Sequence, residues 1–277
     1  MISVQAAAWL AVGLFTVGWL GRRTLLGRAV RETGVIFALY ALWQQVLNMT
    51  VLHTAGAVGR GRWIIHAEKI LHLPSEKSVQ EWFLPHRSLI SFANWYYAVA
   101  HYPDVIAMLV WLFFWHQTRY RWGRWLLIIA TGLSLPLQAI PVAPPRLMPG
   151  LGVVDTARLL GHPIYSPAGL RDPSQLTAMP SVHCLWASLA AAGFLVVSHS
   201  RWRWVVLLHP AITFWAVVVT GNHWWLDGIC SLGLLAITLA VLAAPRIVRT
   251  WSGGSPPANR MAKVSSSSSR AFPPACP

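Results

Sequence analysis

The chain has 277 residues, of which 55% are hydrophobic and only 11% are charged, and its mean hydropathy is +0.49. Because a soluble domain carries about 25% charged residues, this composition excludes a water-soluble fold, intrinsic disorder, a coiled coil and a small disulfide scaffold for most of the chain. The net charge of +14 would suit a nucleic-acid binder, but the positions of the charges indicate an integral membrane protein instead.

Seven apolar stretches approach the roughly 20 residues that a helix needs to cross a bilayer. They are residues 2–20, 34–52, 103–117, 122–141, 181–199, 203–220 and 226–244. Fourteen of the 22 basic residues, but only one acid, Glu32, lie on one side of these stretches. The positive-inside rule makes that side, with the C-terminus, cytoplasmic and places the N-terminus outside. Orientation thus explains the basic excess, and no nucleic-acid partner is expected.

The connections on the outer side are long. Residues 62–73 have the spacing of an amphipathic interfacial helix, and residues 88–101 are apolar enough to dip into the bilayer before a kink at Pro103. Residues 141–180 are too rich in Pro and Gly for one regular helix. We predict an all-α, polytopic transmembrane bundle of about six to seven spans with extracytoplasmic interfacial helices.

Three parts are expected along the chain. Residues 1–88 hold the N-terminal spans and the start of the external helical segment, residues 89–245 form a catalytic bundle, and residues 246–277 read as a disordered cytoplasmic tail. His209, followed by Pro210 within the sixth stretch, is interpreted as a hydrogen-bonded core histidine at a kink.

Two clusters of polar residues lie at the outer ends of the fourth and fifth stretches, where ionisable groups suggest function. Arg146 ends the proline-rich run that begins at Pro141, and its guanidinium suits phosphate; alternatively it snorkels at the interface. Ser181 and His183 open the fifth stretch after Pro180, where unpaired amides favour an anion. An incidental histidine at a helix start is the other interpretation.

The third cluster, Asn222 to Asp227, opens the seventh stretch. His223 and Asp227 are four residues apart, so on a helix they share a face. The carboxylate can fix the tautomer of the imidazole and leave its second nitrogen as a nucleophile. A purely structural pair is the alternative. Together the three clusters contain the groups that phosphoryl transfer through a phospho-histidine requires.

The order Pro-Pro-Arg146, Met-Pro-Ser181-x-His183 and His223-x-x-x-Asp227 resembles the type-2 phosphatidic acid phosphatase superfamily. It is most similar to the branch of inositol phosphorylceramide synthase-like and actinobacterial members. The stretch from Asn94 to Pro103 also resembles that branch, and the resemblance covers about residues 90–245.

The resemblance implies a role for each matched residue. His223 would attack phosphorus, Asp227 would orient it, and His183 would protonate the leaving oxygen. Ser181 and neighbouring amides would hold phosphate oxygens beside Arg146, without a metal or another cofactor.

The chain departs from the common pattern of the superfamily at two positions. Ala139 and Val217 stand where that pattern has Lys and Arg, so simple phosphatase activity is less strongly implied. Other polar residues of the outer segments could complete the site. The candidates are Asn94, Tyr97 and His101, which share one helical face, together with Arg171 and Asn222. The first three could equally form a polar stripe packed against neighbouring helices.

These observations predict a lipid phosphatase or phosphotransferase at the extracytoplasmic face of a plasma membrane, and the Arg- and Ala-rich composition suggests a bacterial source. Its partners would be a lipid phosphate or diphosphate and, for transfer, an alcohol. One alternative is a headgroup phosphotransferase of the inositol phosphorylceramide synthase type. The others are an anion transporter, a metal enzyme with His183, His223 and Asp227 as ligands, and a non-catalytic membrane scaffold.

Overall fold

The structure is a computed structural model that describes residues 3–50, 54–161, 169–171 and 175–251. Side chains are outside this description at positions 47–50, 101, 102, 171 and 245–251. The described ranges are built from α-helices and short 3-10 turns, with one isolated bridge between Val142 and Thr177. The predicted all-α class is therefore confirmed.

The α-helices are numbered in chain order. They are α1 Val4–Leu20, α2 Leu25–Thr50, α3 Ala57–Ile70, α4 Glu76–Phe83, α5 Arg87–Val99, α6 His101–Trp115, α7 Gln117–Gln138, α8 Thr156–Leu159, α9 Val182–Val197, α10 Leu208–Val219 and α11 Trp225–Trp251. Each of the seven apolar stretches coincides with one of these helices, and α10 is preceded by the 3-10 turn Arg201–Leu207.

Two helices of the described chain are long and apolar enough to cross a membrane, Arg201–Val219 and Trp225–Ala244. A third span results if Arg87–Val99 and Pro103–Trp115, which meet at 52°, count as one bent span. The predicted six to seven spans are thus not confirmed. Helices α1 and α9, with 17 and 16 residues, fall short of the roughly 20 that a straight span needs.

Large apolar side chains cover much of the outer surface, including Trp9 at 75%, Leu20 at 80% and Trp115 at 69% exposure. Water-soluble proteins rarely expose apolar patches on this scale. Together with the apolar helices, this surface indicates association with a membrane.

Helix α9 is the centre of the bundle and packs against α6, α7, α10 and α11. It begins after Ser181, whose hydroxyl oxygen accepts from the amide of Cys184 at 3.3 Å as an N-cap. Leu185 and Leu189 on this helix are fully buried. The central position of α9 fixes its first turn among the ends of its neighbours.

Helices α3 and α4 and the irregular segment after α7 cover one end of the bundle. Trp224, fully buried, donates from its indole nitrogen to the carbonyl of Ala143 at 3.0 Å. The amide of Ala143 donates to the carbonyl of Ala57 at 3.2 Å. These contacts tie the segment after α7 to α3 and to the start of α11.

The predicted helix at 62–73 overlaps α3, which begins five residues earlier and ends at Ile70. The predicted kink near Pro103 is the 52° bend between α5 and α6. The predicted span 226–244 belongs to a longer helix, because α11 continues to Trp251 through the first residues assigned to the tail. Residues 252–277 of that tail lie outside the described residues.

Candidate functional site

The three polar clusters meet at the covered end of the bundle. Arg146 lies in the 3-10 turn Pro145–Leu147 after α7, and its amide donates to the carbonyl of Gly221 at 3.0 Å. The rings of His183 in α9 and His223 before α11 have centroids 5.5 Å apart. Three chain segments that are distant in sequence therefore supply one site.

His223 is held in one tautomer by its surroundings. Its Nδ1 lies 2.7 Å from the carbonyl oxygen of Ala178 and 3.4 Å from Oδ2 of Asp227. Because a carbonyl oxygen only accepts, Nδ1 carries the hydrogen, and Nε2 keeps its lone pair in the neutral ring. The arrangement therefore leaves Nε2 available as a nucleophile.

Asp227 supports this geometry from the first turn of α11. It is fully buried, and its Oδ2 also accepts from the amide of Trp224 at 2.9 Å. Its carbonyl accepts from the hydroxyl of Ser231 at 2.8 Å and from the amide of Ser181 at 3.4 Å. Asp227 thus links the start of α11 to the start of α9. The sequence did not predict that Ala178 would lie closer to His223 than Asp227 does.

His183 is fixed by an aromatic contact. The ring of Tyr97 in α5 stacks on it with centroids 4.2 Å apart and planes 20° apart. Tyr97 itself is buried, and its centroid lies 6.2 Å from that of His223. Tyr97, one of the predicted pocket residues, therefore orients the candidate acid.

Arg146 has a nearly buried side chain, 3% exposed, whose donors are engaged by polar neighbours. Its Nε donates to Oδ1 of Asn222 at 2.8 Å, and its Nη1 donates to Oε1 of Gln175 at 3.1 Å. The same Nη1 lies 3.7 Å from a carboxylate oxygen of Asp155. Asn222, a predicted pocket residue, thus joins Arg146 to the loop that carries His223.

The remaining predicted residues are Asn94 and Ser181, whose side chains the structure describes, and His101 and Arg171, whose side chains it does not. Asn94 is buried and accepts from the hydroxyl of Thr156 at 3.0 Å, so it packs α5 against α8. Ser181 caps α9, whose first turn offers amides of the kind that bind anions. The side chains of His101 and Arg171 lie outside the described residues.

Val217 is one of the two positions at which the chain departs from the common pattern of the superfamily. Its side chain is 1% exposed and packs with Tyr97 and Cys184. Its carbonyl accepts from the amides of Asn222 and His223 at 3.0 and 3.2 Å. The backbone of Val217 therefore shapes the loop that carries His223, the histidine loop, whereas its apolar side chain supplies no positive charge to the site.

Two residues that the sequence did not single out shape this loop. Gly221 has a φ of +70°, a left-handed value that favours glycine. Gln80 of α4, 1% exposed, donates to the carbonyls of Val154 and Val219 at 2.9 Å and accepts from the amide of Val154 at 2.7 Å. Gln80 joins segments up to 139 positions apart, and no local motif encodes such contacts.

Glu68 of α3 meets the start of α11 from the other side. Its Oε1 accepts from the amide of Leu226 at 2.8 Å, and its side chain is buried near Glu76. Burial, with the hydrogen bond and charge of Glu76, raises the pKa of Glu68 to about 9. At neutral pH this carboxyl is therefore protonated. Its position in a predicted interfacial helix gave no sign of this contact.

The described residues contain no group of three or more His, Cys, Asp or Glu side chains placed to hold a metal ion. The site's chemistry is that of two imidazoles, a buried carboxylate and a guanidinium. Such a set can bind a phosphate group, attack phosphorus and move one proton.

A family model described as the PAP2 superfamily matches residues 62–241, more than half of the chain. No curated protein and no solved structure matches the chain. The superfamily predicted from the motifs is confirmed, whereas its inositol phosphorylceramide synthase-like branch is not. The matched range contains all the described site residues.

Proposed function

The chain belongs to the PAP2 superfamily, and from this premise we propose that it is a membrane-embedded lipid phosphatase or phosphotransferase working through a phospho-histidine. Members of the superfamily generally hydrolyse phosphate esters. The observation that carries the proposal is the tautomer of His223: its Nδ1 faces Ala178 and Asp227, which leaves Nε2 for phosphorus.

The first step forms one bond and breaks one. Nε2 of His223 attacks phosphorus, and the bond from phosphorus to the leaving oxygen breaks. His183 supplies a proton to that oxygen, and Arg146 with the first turn of α9 compensates the charge on the phosphate oxygens. Asp227 stabilises the positive charge that develops on His223.

The second step regenerates the enzyme. His183, now neutral, takes a proton from water or from an alcohol, whose oxygen attacks phosphorus as the phosphorus–nitrogen bond breaks. Water yields a phosphatase, and an alcohol yields a phosphotransferase of the inositol phosphorylceramide synthase type. The absence of the two common cations at Ala139 and Val217 favours the transferase.

The substrate would be a lipid phosphate or diphosphate that enters from the bilayer. In this proposal the bundle has six to seven spans, with the site at the extracytoplasmic face of the plasma membrane and the C-terminus in the cytoplasm. The apolar outer surface of the helices supports delivery from the membrane.

The test uses purified protein in detergent with a panel of lipid phosphates, with and without an alcohol acceptor. His223→Ala should lower the activity by at least about a hundredfold, as the loss of a catalytic group does. His66→Ala, at an exposed histidine of α3, is the matched control and should retain wild-type activity.

Two further measurements separate the mechanism from its rivals. His183→Ala should accumulate a phospho-enzyme on His223 when the leaving group is activated, because the second step lacks its base. A chelator titration should leave the rate unchanged if no metal takes part. An active His223→Ala protein would contradict the proposal.

A further inference from the structure

A polar cavity lies at the other end of α7 from Arg146. It has a volume of about 430 Å³, and its polar lining comes from the beginnings of α2 and α7. These residues are Arg28, Arg31, Glu32, Gln117, Tyr120, Arg121 and Arg124. Because α7 has 22 residues, about 33 Å at 1.5 Å per residue, this cavity is separate from the candidate site.

The single acid of this lining is engaged by its neighbours. Glu32, 8% exposed, accepts from Nη1 of Arg124 at 2.8 and 2.9 Å and from the hydroxyl of Tyr120 at 3.1 Å. Arg31 lies 3.7 Å from the same carboxylate. Glu32 thus holds two guanidinium groups in place while neutralising only one positive charge.

The other cations of the lining lack a protein counter-ion. Arg28 and Arg121 are exposed and form no ion pair with any residue that the structure describes. The unpaired positive charge of the lining is therefore that of these two guanidinium groups.

Orientation alone accounts for arginines near this end of the bundle, but not for their convergence. The positive-inside rule requires only that arginines lie in the cytoplasmic connections, not that they lie close together. Here four of them line one concave space, despite their mutual repulsion. Its volume is within the range of about 300–1,000 Å³ that is usual for ligand sites.

The surroundings indicate which anion fits. Phe113 of α6 adds an apolar side chain to the lining. Three exposed apolar residues lie within two positions of lining residues in the sequence: Leu26 is 74% exposed, Trp115 69% and Trp125 45%. An acyl chain can lie on these side chains while a phosphate contacts the arginines. Guanidinium groups pair with phosphate through two parallel hydrogen bonds, and basic pockets between transmembrane helices bind anionic headgroups.

We propose that this cavity binds the phosphate-bearing headgroup of an anionic phospholipid, at the end of the bundle opposite the candidate active site. Arg28 and Arg121 supply the unpaired charge, and Arg124 is preset by Glu32. The proposal does not depend on the catalytic assignment, since it concerns a different end of the molecule.

The test measures thermal unfolding of delipidated protein in detergent micelles that contain phosphatidylglycerol, cardiolipin or phosphatidylcholine, or with inorganic phosphate in solution. The two anionic lipids should raise the Tm of the wild type by about 5 °C when they are well above their dissociation constant. Phosphatidylcholine and inorganic phosphate should raise it by less than about 1 °C.

Two double variants with the same change in charge provide the comparison. Arg28→Gln with Arg121→Gln should abolish the lipid-induced shift, whereas Arg23→Gln with Arg119→Gln, at exposed positions of the same end, should keep it. Native mass spectrometry should show one retained anionic lipid in the second variant and none in the first.

Three outcomes would overturn the proposal. Equal loss in both double variants would mean diffuse attraction to a basic surface. An equal shift with inorganic phosphate would mean an anion site that does not select lipid. An unchanged shift in the cavity variant would place the lipid elsewhere. None of these results depends on the activity of His223.

Discussion

Gly221 is the residue on which the histidine loop turns. A Cβ at this position would lie 2.7 Å from Cγ1 of Val153 and 3.2 Å from Cβ of Arg146, in addition to the strain of a φ of +70°. We therefore expect Gly221→Ala to destabilise the protein by about 1–3 kcal/mol and to displace Arg146. Thermal unfolding and the rate on a lipid phosphate measure the two effects.

Gly59→Ala is the control for this substitution. Gly59 lies in α3, and a Cβ there would meet no atom within 4 Å. Because alanine favours a helix by about 0.8–1.0 kcal/mol over glycine, this variant should be as stable as the wild type or more so. Equal behaviour of the two variants would contradict the role given to Gly221.

The guanidinium of Arg146 has a fixed shape that lysine lacks. Arg146 already makes directed bonds to Asn222 and Gln175. Arg146→Lys keeps the charge but loses the fork, so kcat/KM should fall by about a hundredfold or more. The exposed Arg158 of α8 offers the comparison, and Arg158→Lys should keep a kcat/KM near that of the wild type. A similar fall in kcat/KM for both variants would contradict a specific role of the Arg146 guanidinium in binding phosphate.

The protonated carboxyl of Glu68 makes stability depend on pH. Its pKa is raised from 4.5 to about 9 in the folded protein, so the folded state binds the extra proton between these values. The free energy of unfolding should therefore decrease as pH rises from about 4.5 to about 9. Glu68→Gln, which keeps an acceptor for Leu226, should flatten this part of the profile.

Glu81→Gln is the matched control for that pH profile. The side chain of Glu81 is 56% exposed and contacts only the surface residue Lys77 among its described ion-pair partners. Its loss should leave the slope between pH 4.5 and pH 9 as it is in the wild type. The assignment fails if Glu68→Gln keeps the slope too.

At the residue scale, the sequence predicted the motif residues but not the side chains that contact them and hold them in place. Arg146, His183 and His223 could be identified because each is a polar residue at the end of an apolar stretch. Gln175 and Asp155 could not, since they reach Arg146 from an irregular segment that has no periodicity. Contacts of this kind depend on the tertiary fold alone.

At the scale of elements, the bend between α5 and α6 coincides with a polar contact to α10. Oδ2 of Asp104 lies 2.7 Å from Nε2 of His209, and the hydroxyl of Tyr96 contacts Nδ1 of the same ring. His209 is hydrogen-bonded as the sequence predicted, but it is not a core residue, since its side chain is 23% exposed. Its partner could not be predicted, because 105 positions separate the two residues.

We expect the Asp104–His209 contact to hold α6 against α10. A double-mutant cycle with Asp104→Ala and His209→Ala should give a coupling free energy of about 1–2 kcal/mol in chemical unfolding. The exposed pair Lys77–Glu81 is the reference, with an expected coupling below about 0.5 kcal/mol. Equal couplings would mean that the buried contact is as weak as a surface pair.

At the scale of the whole molecule, the orientation in the membrane is open to a direct test. Arg158→Cys near the candidate site and Ser200→Cys after α9 are exposed positions at different ends of the bundle. An impermeant maleimide should label the first in intact cells and the second only after permeabilisation. Cys184 is buried, and an unsubstituted chain corrects for background labelling. The reverse pattern would invert the proposed topology.

The global architecture was predictable where apolar periodicity is long and uninterrupted. All seven apolar stretches are helices, because such stretches satisfy their backbone internally. The 52° bend and the position of α9 at the centre depend on packing between helices distant in the chain. Composition does not encode that packing, so the sequence could name the elements but not arrange them.

The 3.7 Å approach of Asp155 to Arg146 implies a threshold for ligands. A guanidinium that already has a carboxylate neighbour gains little from a weakly basic, singly charged ion such as chloride. We therefore expect a phosphate ester with two negative charges to displace this carboxylate from Arg146, whereas small singly charged anions should not.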